Sequence, residues 1–166
     1  MGMDATSTPG GTDTAHTDVT SDARLDAWFA AMPPVAAMGI RSAGHDGEVL
    51  RLRAPLAANV NDKACAFGGS LASIMTLAGW GFLMLRTLDN GRKCDVYVAD
   101  SQVRYLLPLF GDLAAEARLA EGQDWTTIAR SLAERGRARA TMRAQVLGPE
   151  GAVVATMDAR FALMAV

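Results

Sequence analysis

From Ala64 to Leu85 the chain carries no charged residue: ACAFGGSLASIMTLAGWGFLML. A run of about 18 or more uncharged apolar residues is long enough for a membrane-spanning helix. A helix that is apolar nearly all round can equally be the buried centre of a globular domain. The flanking sequence decides between the two. Downstream lie several segments in which apolar and polar residues alternate, each reading as a strand with one face to cover. Only one long apolar element is available to cover them. Gly68, Gly69, Gly79 and Gly81 would also let strands approach this element closely. The run is therefore expected to be a core helix in a protein with no membrane partner.

At 166 residues the chain is one domain by length, large enough to bury a core without staples. Half of its residues are hydrophobic and 20% are charged, as in compact globular proteins. A formal net charge of -2 lacks the basic excess of a general nucleic-acid binder, so no nucleic-acid partner is expected. Cys65 and Cys94 form no metal-ligand spacing; they read as reduced thiols in a cytoplasmic protein, with no metal expected. Residues 1–20, rich in Thr, Ser, Gly and Asp, offer almost nothing to bury and are expected to form a disordered tail. They also lack the charged start and apolar middle of a secretory signal. Residues 21–166 form the expected domain.

Within that domain, Ser21 or Asp22 can cap a first helix, with Leu25, Trp28, Phe29 and Met32 at helical spacing and Pro33-Pro34 as its stop. A strand over Val35 to Ser42 and a second over Val49 to Pro55 make a hairpin around Gly44, Asp46 and Gly47. After the central helix, Asp89-Asn90-Gly91 supplies a turn. Strands are then expected over Asp95–Leu109, Asp112–Ala120, Arg137–Leu147 and Val153–Met164. Asp124 to Glu134 reads either as a short helix or as an extended loop. The class is α+β: one long helix beside an antiparallel sheet.

Chemistry-bearing residues cluster where the apolar helix begins. Amide N–H groups of Gly68 and Gly69 would be unpaired donors at the positive end of the helix dipole. There they can stabilise negative charge developing on a carbonyl oxygen; tight helix–sheet packing is the alternative use of the same glycines. Asn61 can donate and accept, or simply shape a turn. Asp100 is an acid within an otherwise apolar strand, a candidate site carboxylate or a hydrogen-bonded structural one. Ser70, Ser73, Thr76 and Ser101 are weaker candidates, because no activating base is evident beside them. His16 and His45 lie in the tail and a hairpin turn. Arg130, Arg135, Arg137, Arg139 and Arg143 against Glu134 form a basic stretch in an acidic chain. It is either a solvated strand face or a landing site for phosphates or an acidic carrier protein, with Arg137 and Arg139 at its centre.

Asn61, Phe67-Gly68-Gly69, the helix to Leu85, Asp100, Tyr105-x-x-Pro108 and Gly111-Asp112 together resemble the YiiD C-terminal domain family, a thioesterase branch of the hotdog-fold superfamily. The resemblance covers nearly everything after the first twenty residues. It implies a long central helix wrapped by a bent antiparallel sheet of about five to six strands. It further implies a homodimer or dimer of dimers with sites at the interface. The implied substrates are acyl groups on coenzyme A or acyl carrier protein; no separate cofactor is implied, since coenzyme A or phosphopantetheine is part of the substrate. In related thioesterases a His-Gly-Gly opens the helix and a carboxylate follows two turns later. Here Phe67 stands at the His position and Thr76 at the carboxylate position, so both become substrate-site candidates and the usual helix acid is missing. The expected catalytic set is Asn61, Gly68, Gly69 and Asp100; Phe67, Ser70, Thr76, Ser101, Arg137 and Arg139 are the expected substrate contacts. Thioester hydrolysis is the first expectation. Decarboxylation of a malonyl thioester is the second, because it requires enolate stabilisation rather than a base to activate water. A non-catalytic acyl-thioester binding module is the third.

Overall fold

The computed structural model describes residues 20–166. The expected tail therefore lies, but for Thr20, outside the described residues. In chain order the elements are α1 (Ser21–Ala31), α2 (Pro33–Ala37), β1 (Arg41–His45), β2 (Leu50–Ala54), α3 (Gly68–Asp89), β3 (Cys94–Tyr105), β4 (Leu113–Leu119), α4 (Trp125–Arg135), β5 (Arg137–Leu147) and β6 (Val153–Ala165). The strands form one antiparallel six-stranded sheet in the order β1-β2-β4-β5-β6-β3. With the long α3 lying against the inner face of this sheet, the architecture is the hotdog fold.

Alternation in the strands explains the two faces. Along β5 every second residue from Ala138 to Val146 is buried, while Arg137, Arg139 and Arg143 project to the opposite face. The buried faces of β2, β4, β5 and β6 meet α3 through Leu50, Leu52, Leu113, Met142, Phe161 and Leu163. α3 needs an apolar surface on several sides because it is also covered by α1: Leu25 and Phe29 are fully buried there. Two glycines make this sandwiching possible. A Cβ on Gly79 would lie 3.0 Å from the Phe161 ring, and one on Gly81 would lie 3.0 Å from both Leu25 and Leu50. The close approach read from the sequence is thus realised at Gly79 against the sheet and at Gly81 between α1 and β2.

Three local expectations are corrected, and one left open between two readings is decided. Thr20 caps α1, accepting from the Ala23 amide, in place of Ser21 or Asp22. Asp22 and Asp26 instead accept from Ser42, tying α1 to β1. Pro33-Pro34 ends α1 but also starts α2, since a proline's fixed φ suits the first turn of a helix; the strand expected from Val35 consequently begins at Arg41. Strand β3 stops at Tyr105, short of Leu109, because the amides of Leu106 and Leu107 both turn to the Val154 carbonyl. The ambiguous segment is a helix: Asp124 caps it by accepting from the Thr126 and Thr127 amides, and Gly136 closes it at φ 66°. Trp125, Ile128 and Leu132 supply its buried stripe.

At the β1–β2 turn, Asp46 accepts from the Glu48 and Val49 amides at 3.0 and 2.8 Å and from Arg51 at 2.9 Å. The Val49 amide, then Arg51, then the Glu48 amide lower its pKa from 3.8 to about 2. A depressed carboxylate pKa means the turn's ordering is fully present above about 3.8 and is lost as pH falls through about 2. A carbon-13 titration of the Asp46 carboxyl should give a midpoint near 2, and a midpoint at 3.8 or above would reject this account of the turn. Separately, Gly81→Val should destabilise the fold by about 1–3 kcal/mol through overpacking, read by denaturant unfolding; unchanged stability would show that α1 yields freely.

Candidate functional site

The start of α3 is unusual for a long buried helix. Its N-cap is Phe67, which makes no side-chain capping bond. The Leu71 amide donates back to the Phe67 carbonyl, which leaves the amides of Gly68, Gly69 and Ser70 without a protein partner among the described residues. Three N–H donors at the positive end of a 22-residue helix are a ready anchor for a partial negative charge. Beside them opens a cleft of about 350 Å³ lined by Ala66, Gly68, Leu71, Tyr105 and the Leu106–Leu109 segment. Leu71 and Leu109 are buried and form its floor; Leu106 and Leu107 are about half exposed at its rim.

The backbone around the doorway is tightly specified. The Phe67 amide donates to the Asn59 carbonyl and the Ala66 amide to the Leu109 carbonyl, both at 2.7 Å. Buried Asn59 donates its side-chain amide to the Met38 and Pro55 carbonyls. The Tyr105 hydroxyl donates to the Gly68 carbonyl at 3.2 Å, and its ring lies 3.5 Å from where a Gly68 Cβ would stand. A Cβ on Gly69 would fall 2.3 Å from the Phe67 ring, so the exposed Phe67 side chain folds over the second glycine. Gly68 lines the cleft directly, and the absence of a side chain at Gly69 makes room for the Phe67 ring.

Asn61 stands at the edge of this doorway and organises its loop. Its carboxamide oxygen accepts from the Lys63 amide at 2.8 Å and the Cys65 amide at 3.3 Å. That hold supports Ala64 in a left-handed conformation at φ 60°. The Asn61 side-chain NH₂ donates to the Cys65 sulfur at 3.3 Å and more weakly to the Ala66 carbonyl at 3.5 Å. Asn61 therefore has its acceptor committed and one of its two donors only weakly held, so what it can turn towards a ligand is an N–H rather than a base. Ser70 is buried directly behind the glycines.

The other sequence candidates lie elsewhere in this chain. Thr76 donates to the Ala72 carbonyl at 2.9 Å and faces the Met157 sulfur of β6, outside the cleft lining. Asp100 is half exposed on β3, and both Nε and Nη2 of its cross-strand neighbour Arg160 donate to one of its oxygens. The Arg160 hydrogen bond holds the Asp100 carboxyl below its ordinary range, so it is a charged ion-pair partner. Five residues separate it from Tyr105, roughly 17 Å along the strand. Ser101 is exposed and registers with buried Ala159 on the inner face. Arg137 and Arg139 border a separate cleft of about 480 Å³ on the outer face, with Arg135, Ser131, Ala162 and Met164. Arg137 registers with Met164, which registers with Asp95, ten residues from Tyr105; that is roughly 33 Å from the doorway of the same chain. Among the described residues no group of three His, Cys, Asp or Glu side chains gathers as a metal site.

Sequence reasoning did not single out the Tyr105 hydroxyl or buried Asn59, and it gave no sign that the Cys65 thiol lies against Asn61. The turn residues around Asn61 signalled a loop there, but the partner of each side chain depends on how that loop folds back. Arg160 was visible only as an outward strand position, and its pairing with Asp100 needed the register.

This geometry defines a helix-anchored site on a hotdog domain, and the comparisons say which. The model of the family described as "Putative thioesterase (yiiD_Cterm)" matches residues 23–165, and the chain belongs to that family. A protein of unknown function from Chlorobaculum tepidum TLS is 26% identical, with a TM-score of 0.82 over 91% of this chain and 100% of that one. A structure from Shewanella oneidensis described as a "putative thioesterase" is 27% identical, with a TM-score of 0.77 over 87% of this chain and 97% of that one. A third, from Pseudomonas aeruginosa and described as a probable thioesterase, is 25% identical, with a TM-score of 0.71 over 86% of this chain and 95% of that one. Together they support an enzyme that acts on thioesters.

If the Asp100–Arg160 pair is a surface ion pair, Asp100→Asn should leave the fold and the doorway unchanged. Nitrogen-15 amide shifts should move along β3 and β6 but not at Gly68, Gly69 or Ser70. Shifts at those three amides would instead couple Asp100 to the doorway.

Proposed function

We propose that the protein hydrolyses acyl thioesters whose carbonyl oxygen rests on the amides of Gly68, Gly69 and Ser70. The observation that carries this reading is the uncapped start of α3, where three amides lack protein partners and the first of them, at Gly68, borders an apolar cleft. A thioester carbonyl gains negative charge when attacked, and donors fixed by a buried helix need no reorganisation to meet it. Phe67 and the rim leucines would shield the reacting carbonyl from bulk water, and the Asn61 N–H would hold a second oxygen.

One observation favours a second reading, decarboxylation of a malonyl-type thioester. Around the doorway the structure places donors but no Asp, Glu or His on the cleft lining. Loss of carbon dioxide leaves an enolate, which the amides can stabilise until a proton from water converts it to the acetyl thioester, and the carboxylate can be held by Asn61 before it departs. Water activation, by contrast, requires a base from outside this lining.

We further propose that the working unit is a homodimer formed across β3. That strand has no partner on its outer side, and Tyr97, Val98, Tyr105, Leu106, Leu107 and Phe110 are all exposed along or just beyond it. A naked, largely apolar edge favours pairing with another strand. Antiparallel pairing of two copies brings the partner's strand start beside this chain's Tyr105. It thereby carries the partner's outer-face arginines towards this doorway, where they suit the phosphates of coenzyme A or an acidic carrier protein. Such substrates and a cytoplasmic setting agree with the reading.

Incubation with malonyl and saturated acyl thioesters, followed by mass spectrometry, tests the chemistry. Free thiol marks hydrolysis, and an acetyl thioester from the malonyl substrate marks decarboxylation. Unchanged ligand that nevertheless binds would make the protein a binding module and overturn both reactions. Asn61→Ala should lose most of whichever activity is seen while remaining folded; full activity would remove Asn61 from the reaction. Reversing Arg137 and Arg139 to Glu should weaken affinity for coenzyme A or carrier-protein thioesters about tenfold or more, and unchanged affinity would free those arginines from substrate binding.

A further inference from the structure

At the far end of α3, Arg86 lies 18 residues beyond Gly68, roughly 27 Å along the helix axis from the doorway. Here a second cleft of about 300 Å³ opens between the β1–β2 turn, α3 and the segment after β4. Its lining includes Val49, Phe82, Arg86, Arg118, Leu119 and Gln123. Among the described residues four buried side-chain nitrogens or oxygens lack a hydrogen-bond partner, and three belong to this end: Arg86 Nε, Trp125 Nε1 and His45 Nε2. They are close neighbours. The Arg86 guanidinium stacks over the Trp125 ring at 5.4 Å, and His45 packs edge-on against Phe82 with ring centroids 5.7 Å apart.

The chemistry of this end is lopsided. Stacking on Trp125 occupies the face of the Arg86 guanidinium and leaves its edge N–H groups as donors. No carboxylate lies within ion-pairing distance of Arg86 among the described residues. The Gln123 side-chain oxygen already accepts from the Thr141 amide at 3.1 Å, which leaves its NH₂ as a further donor. Arg118 adds charge but shares it with Glu116 at 3.0 Å. The one carboxylate on the rim, Glu48, is exposed on the turn that Asp46 holds. Beside the donors the lining also carries apolar surface: Phe82, one turn before Arg86 on the same face of α3, with Val49 and Leu119. Buried donors without acceptors are costly unless an acceptor arrives, and a carboxylate accepts from a guanidinium edge most strongly.

We infer that this cleft is a binding site for a small organic carboxylate, with the carboxyl group on Arg86 and Gln123 and an apolar body against Phe82, Val49 and Leu119. The site is separate from the thioester doorway and does not depend on the reaction assigned there.

Calorimetric titration of the intact protein with benzoate, at constant ionic strength against chloride, tests it. One saturable site per chain is expected, together with a shift of the Trp125 indole N–H resonance. Benzamide, the same shape without the charge, should show no saturable binding. Arg86→Met should weaken benzoate at least tenfold, and Leu119→Trp, which fills the cleft and leaves Arg86 in place, should abolish binding. Leu119→Trp keeps the test decisive should Arg86→Met fail to fold. No saturable benzoate binding, equal binding of benzamide, or unchanged affinity in either folded variant would overturn the proposal.

Discussion

Everything in this structure depends on how closely α3 is gripped. The helix is long and uncharged through its interior, and it is stable in a globular fold only because sheet and α1 cover it from opposite sides. Gly79 and Gly81 set the spacing: side chains there would meet Phe161 on one side and Leu25 and Leu50 on the other at 3.0 Å. A helix held this firmly has a fixed axis and therefore a fixed N-terminus. The doorway amides inherit their position from packing about three turns further along α3, so the apolar run contributes to the site without lending it a reactive side chain.

That arrangement shapes the available chemistry. Donors surround the doorway: three helix amides and the Asn61 carboxamide N–H, with the Tyr105 hydroxyl already committed to the Gly68 carbonyl. The acidic group nearest in sequence pattern, Asp100, is bound to Arg160 and held as a carboxylate. A site of this kind stabilises negative charge that develops on substrate. It suits reactions in which an oxyanion or enolate forms, and a thioester supplies either.

The fold was largely legible in the sequence because its signals are periodic. Strict alternation in Arg137–Leu147 and Val153–Met164 located β5 and β6 almost residue for residue, and the uncharged run located α3. Misreadings fell where one residue type serves two conformations. Pro33-Pro34 stops one helix and starts another; over Asp124–Glu134 helix and loop both stayed open, because the Trp125–Ile128–Leu132 stripe is set in a polar surface. The glycine doorway was readable from Gly68-Gly69 opening an apolar helix. What could not be read was the fate of side chains whose partners are distant in sequence. Asp100 read equally as a site carboxylate or a hydrogen-bonded structural one, and only the register of β3 and β6 placed Arg160 beside it. Arg137 and Arg139 read as a solvated face or a landing site for phosphates, and only the sheet register showed that they lie far from the doorway of the same chain. The orphaned group at Arg86, Trp125 and His45 joins α3, α4 and the first hairpin, three segments no local pattern links.

The central claim is that the amides at the start of α3 receive a thioester carbonyl. Its most direct test is a nitrogen-15 amide titration of the protein with a pantetheine thioester analogue in which the labile sulfur is replaced by a methylene. The account predicts saturable shifts at Gly68, Gly69 and Ser70, larger than those anywhere else on α3. Saturable binding that leaves those three amides unmoved would contradict it.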